Sequence, residues 1–99
     1  MLLESNYQNY LIQKIKKRFP GCIVLKNDPT YIQGFPDLLI LFEDRWAALE
    51  VKRSADARHG RNQEYYVALC DDLSYASFVY PENEEEVMRE LQQALQPDW

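Results

Sequence analysis

Hydrophobic and polar positions alternate along this chain with two periods, and the period changes four times. The stretch "SNYQNYLIQKIKKRF" places Tyr7, Leu11, Ile15 and Phe19 near helical spacing behind a Ser5/Gln8 pair at capping-box distance, which predicts a helix over 6–19 ending at "PG". "CIVLK" is short and β-branched, and "NDPTYIQG" after it is rich in turn residues. "DLLILF" is continuously apolar, as in a strand buried on both faces, and the tight "EDR" turn joins it to "WAALEVK". These three strands are expected to form the middle of a small sheet. "RSADARHGR" reads as a polar, basic and mobile loop, "NQEYYVALCDD" returns to helical spacing, and "YASFVY" is a further strand stopped by Pro81. The last segment, "NEEEVMRELQQAL", has Asn83 as a cap, three glutamates where the helix dipole favours negative charge, and a Val87, Leu91, Leu95 stripe. The order is α-β-β-β-α-β-α, an α/β chain with a central mixed sheet flanked by helices. No repeat or linker interrupts it.

Composition narrows the class. At 99 residues and 46% apolar, one domain spanning 1–99 with a modest core is expected. Cys22 and Cys70 lack a CxxC pattern or a histidine at ligand spacing, so they read as reduced buried thiols. No apolar run approaches the ~18 residues that cross a bilayer, and the first ten residues lack a basic segment followed by an apolar one. A soluble, cytoplasmic protein without a membrane partner is the expectation. The net charge of −5 argues against nucleic acid until its placement is read: residues 1–70 hold ten Lys/Arg against eight Asp/Glu, and residues 71–99 hold one against eight. Phosphate feels charge mainly within a Debye length of ~8–10 Å, so an acidic tail does not exclude DNA.

The chemistry is at two strand ends. Residues two apart in a strand share a face, so Glu50 and Lys52 point the same way, and an adjacent strand beginning at Asp37 brings a second carboxylate beside them. Alone, an E-x-K at a strand end is commonly a surface pair and a "PD" a turn. Together, two carboxylates repel unless a cation lies between them, and oxygen ligands without His or Cys favour Mg²⁺ or Mn²⁺. Lys52 would then stand close to the attacking water and to charge developing on a phosphate.

On "GFPDLLILF…WAALEVK" the chain resembles the PD-(D/E)xK nuclease superfamily, whose restriction-endonuclease-like core is α-β-β-β-α-β. Glu4 and Ser5 opening the first helix, Gly34-Phe35-Pro36-Asp37, Glu50-Val51-Lys52 and Gln63 heading the next helix are similar to the VRR-NUC family, and within it to the small stand-alone phage proteins. The resemblance covers essentially the whole chain, the C-terminal helix included. It implies that Asp37 and Glu50 ligate Mg²⁺ or Mn²⁺ with the Val51 carbonyl as a further donor, that Glu4 completes the acidic site, that Lys52 positions or activates water, and that Gln63 holds substrate or the lysine. It further implies a metal-dependent deoxyribonuclease acting as a homodimer on branched, four-way-junction DNA, in the cytoplasm of a bacterial host. Lys26, Arg53, Arg58 and Arg61, with Lys17 and its helix-one neighbours, would form a basic rim that meets phosphate. His59, the chain's one histidine, reads as a mobile surface group adding charge near phosphate. Tyr31 and Phe35 flank the mouth as packing residues or as stacking surfaces for a base. The competing readings are a non-catalytic module that keeps the fold to dock on DNA or on a protein partner, and a nuclease acting on RNA or on free ends.

Overall fold

A computed structural model describes residues 3–98. Its elements are α1 (Glu4–Arg18), β1 (Ile23–Lys26), β2 (Leu38–Phe42), β3 (Arg45–Val51), α2 (Gln63–Leu73), β4 (Tyr75–Val79), a 3₁₀ turn (Pro81–Asn83) and α3 (Glu84–Leu95). The expected order is found, with boundaries displaced by one or two residues. α1 starts at Glu4 because extended Leu3 serves as N-cap, and no side chain caps it. Ser5 therefore lies inside the first turn, and the predicted capping box does not form. Asn83 likewise donates no cap to α3; its side chain accepts from the Tyr80 N–H at 2.9 Å and donates to the Phe78 carbonyl at 3.0 Å, tying the end of β4 to the 3₁₀ turn.

The sheet order is β1-β2-β3-β4, antiparallel across the first three strands and parallel between β3 and β4. The first strand is thus an edge, which corrects its expected place in the middle. α2 is the crossover that a parallel pair requires. Leu38, Ile40 and Phe42 of β2, with Leu49 and Val51 of β3, face α1 and α3 and build the main core with Leu11, Ile15, Phe19, Leu91 and Leu95. On the opposite face α2 packs Val67 and Cys70 against Ala48 and Ala76. Leu39 and Leu41 are only half-buried, so β2 is not covered on both faces as its apolar run suggested. Both cysteines are free, and burial raises their thiol pKa values.

A tie between α1 and α3 escaped the sequence reading. Glu84 is buried and accepts from the hydroxyls of Tyr7 (2.8 Å) and Tyr10 (3.1 Å) and from the Lys14 ammonium. Burial opposes its ionisation, but the bonds from Lys14, Tyr7 and Tyr10 outweigh that and hold it below the ordinary carboxylate range. Lys14 is accordingly committed to α3 and withdrawn from the expected basic face.

Gly34 fixes the loop before β2. Its φ of +91° lies in the left-handed region. A Cβ there would collide with the Arg61 carbonyl and come 2.7 Å from the Asn62 Cβ, just ahead of α2. Gly34→Ala is expected to cost about 2–4 kcal/mol from backbone strain and overpacking together, read as a lower urea midpoint at unchanged m-value.

Candidate active site

The β2–β3 register pairs Leu38 with Leu49, and one further step sets Asp37 across from Glu50. Asp37 stands just outside β2, held on both sides. Its Oδ2 accepts the Val51 N–H at 2.9 Å and its carbonyl accepts the Asn27 N–H at 2.8 Å. The Asn27 side chain donates to the Pro36 carbonyl at 2.7 Å, bracing the segment that presents Asp37. Asn27 was read only as a turn former. The available signal was an asparagine directly after a strand, where its amide can satisfy a neighbouring loop's backbone.

Glu50 is only 1% exposed. Its Oε2 accepts from Gln63 Nε2 at 3.1 Å and lies 3.8 Å from Lys52 Nζ, while its Oε1 is buried without a partner among the described residues. Burial first, then the charge of Asp37, push the Glu50 carboxyl up to about 9; Lys52 opposes this and Glu4 adds to it. Exposed Glu4, at the start of α1, therefore contributes negative potential at Glu50. Lys52 is buried just past the end of β3, its N–H fixed on the Val79 carbonyl at 2.8 Å. Gln63 is oriented by the Gly60 N–H, which donates to its Oε1 at 2.6 Å. Asp37, Glu50, Lys52 and Gln63 are thus brought to one place from three elements. The Val51 side chain is buried in the main core, so only its backbone belongs to the site.

The loop read as mobile is pinned. Ser54 donates to Asp56 at 2.7 Å, and His59 stacks on Phe78 with ring centroids 4.0 Å apart and lies 3.0 Å from a Glu64 carboxylate oxygen. Phe78 is the parallel-register partner of Glu50, so His59 is held beside the site, against the sheet edge. Phe35 packs on Tyr66, whereas Tyr31 is 85% exposed at the edge of an open pocket of about 360 Å³. Arg53, Arg58 and Arg61 are exposed, and among the described residues no carboxylate lies at ion-pair distance from them. Lys26 is exposed and donates to Asn9 at 3.2 Å. Lys17 is a different matter. It lies thirteen residues along α1 from Glu4, roughly 20 Å at the helical rise, so it belongs to the far end of that helix and not to the mouth.

Among the described residues no group of three or more His, Cys, Asp or Glu side chains stands ready to enclose a metal ion. Asp37 and Glu50 nevertheless fit a hard divalent cation: the donors are all oxygen, the charge of Asp37 opposes the ionisation of Glu50, and one buried Glu50 oxygen has no partner among the described residues. No protein-family model, curated protein or solved structure matched the chain.

Proposed function

We propose that the chain is an Mg²⁺- or Mn²⁺-dependent endonuclease that hydrolyses DNA phosphodiester bonds. The observation that carries this reading is the buried Glu50 carboxylate, with one oxygen unpartnered, facing Asp37 and 3.8 Å from the Lys52 ammonium. A purely structural pair would place its charges where water or a partner satisfies both oxygens. Asp37 and Glu50 would hold the cation, with the Val51 carbonyl and Glu4 as further oxygen donors. When bound, the cation supplies Lewis acidity and lowers the pKa of water. Lys52, held by β4 through its backbone, orients the attacking water and offsets negative charge gathering on the phosphate. Gln63 fixes the rotamer of Glu50. Arg53, Arg58, Arg61 and Lys26 supply phosphate contacts that position the strand.

The resemblance to stand-alone VRR-NUC proteins extends the proposal to branched DNA. Two copies about a two-fold axis would present paired sites to a four-way junction, so light scattering belongs beside the cleavage assay. The test is incubation with labelled junction, duplex and single strand in Mg²⁺, Mn²⁺ or EDTA. Metal-dependent cutting is expected, reduced about 10²-fold or more by Lys52→Ala. A docking module is the second reading, favoured by the direction of the Glu50 shift: burial and the charge of Asp37 push its carboxyl up, which lowers the cost of leaving the site without a cation. Binding in both metals without cutting would select it.

A further inference from the structure

The segment between β1 and β2 folds into a pocket before it presents Asp37. Its turns are held by the Tyr31 N–H on the Asp28 carbonyl and the Phe35 N–H on the Ile32 carbonyl, each at 3.2 Å. Asn27, Asp28, Tyr31, Ile32 and Phe35 line a volume of about 360 Å³, at the small end of the ~300–1,000 Å³ range of small-molecule sites. Phe35 is fixed on Tyr66 of α2, while the Tyr31 ring projects into solvent. The pocket shares a wall with the acidic site, because the Asn27 N–H donates to the Asp37 carbonyl and the Asn27 side chain to the Pro36 carbonyl. Lys26 precedes Asn27, and the Arg61 backbone packs on Gly34, one residue before Phe35, so residues bearing exposed cations flank the pocket. The one charge on the lining itself is Asp28. Its Oδ1 accepts from the Thr30 N–H at 2.8 Å and the Thr30 hydroxyl at 2.7 Å; among the described residues its other oxygen accepts no hydrogen bond, and no Lys or Arg lies at ion-pair distance.

We infer, resting on the nuclease reading above, that this pocket receives an unpaired nucleobase next to the scissile phosphate. The charge pattern selects the base over the phosphate. Asp28 repels a phosphate and accepts from an N–H on a base edge, whereas Lys26 and Arg61 suit the phosphates before and after that base. The aromatic lining acts with it, since every base has a π-face that stacks on a ring such as Tyr31 or Phe35. A paired base has its edge engaged and its neighbours stacked, and stacking in one open pocket does not offset the cost of extracting it. The substrate class is therefore DNA with an unpaired nucleotide at the cut, in a strand, a flap or an opened branch point, and not an intact duplex. An apolar side chain of a protein partner fits less well, because it would desolvate Asp28 without supplying a donor.

The test is binding by the full chain, in EDTA and low salt, of a labelled DNA strand of about twelve nucleotides and of the same strand in duplex. The strand carries a fluorescent purine analogue at several positions. Wild type is expected to bind the strand more tightly than the duplex and to quench the analogue. Tyr31→Ala is expected to weaken strand binding about tenfold or more, to abolish the quench and to leave duplex binding unchanged, while Tyr31→Phe keeps both strand binding and quench. Tyr31 is exposed, so its replacement leaves the fold intact, and circular dichroism on each variant verifies this. Wild type that fails to bind the strand or binds it no better than the duplex, Tyr31→Ala that loses nothing or loses equally on both, or Tyr31→Phe that loses as much as Tyr31→Ala would overturn the inference. Cleavage does not enter the readout. Strand binding with the expected losses but no cutting in Mg²⁺ or Mn²⁺ would overturn the nuclease reading and leave the pocket, and cutting with strand binding unchanged in Tyr31→Ala would overturn the pocket alone.

Discussion

Asp37→Asn is expected to abolish metal-dependent cleavage, by about 10³-fold or more in kcat, and to remove any rise in Tm caused by Mg²⁺ or Mn²⁺. The argument separates charge from scaffold. An asparagine oxygen can still accept the Val51 N–H that Asp37 accepts at 2.9 Å, so the β2–β3 junction keeps its tie. What is lost is the negative charge opposite Glu50. That charge is a cost to the metal-free protein, since it helps raise the Glu50 pKa. Metal-free Asp37→Asn should therefore melt at or above the wild-type temperature while failing to respond to the cation. A variant that melts well below wild type in EDTA would mean that Asp37 is chiefly structural. Thermal melts with and without metal, beside single-turnover cleavage, make the comparison.

The second large effect is a coupling between metal and protons. The ordinary Glu50 pKa would be 4.5, and burial followed by Asp37 pushes it up to about 9 in the folded, metal-free protein. Between those values the unfolded chain has released this proton and the folded chain retains it. The contribution to metal-free stability is therefore full at low pH and declines as pH rises toward 9. A cation needs the ionised carboxylate, so binding expels the proton. Affinity for Mg²⁺ should rise by about tenfold per pH unit up to that point and then level off. The metal-induced Tm shift should accordingly grow from pH 6 to pH 9, and Glu50→Gln should flatten both trends. Glu84 acts with the opposite sign: its carboxyl is held low by Lys14, Tyr7 and Tyr10 against the effect of burial, so its contribution is present above the ordinary carboxylate range and lost on acidification. Titrating melts from pH 4 to 9 in EDTA and in Mg²⁺ separates the two.

How much of this could be read from the chain depends on how local each cause is. The β2–β3 hairpin was legible because a continuous apolar run, a short charged turn and a second apolar run leave few alternative pairings. Glu50 and Lys52 on one side followed from strand periodicity, and they do meet. Gln63 reaches Glu50 because the loop before it is pinned through Gly60. Other features depend on contacts far apart in sequence. Glu84 looked like a helix-dipole residue, and its partner Tyr7 is 77 positions away. Lys14 and Lys17 looked equivalent on one cationic face, yet one is tied to α3 and both lie well along α1 from its Glu4 end. The edge position of β1 was hidden for a similar reason, since "CIVLK" has the β propensity of an inner strand and only the register shows that no strand follows it on the far side. Asn27 was missed because turn residues are counted for their own backbone before they are considered as braces for another.

The central claim is that Asp37 and Glu50 form a divalent-cation site, and the most direct test is Mn²⁺ binding to the metal-free protein at pH 8, followed by the loss of the free-ion electron paramagnetic resonance signal. Saturable binding by wild type, lost in Asp37→Asn and in Glu50→Gln while both variants stay folded, is the predicted result. Equal Mn²⁺ binding by wild type and both variants, or none by wild type, would contradict the account.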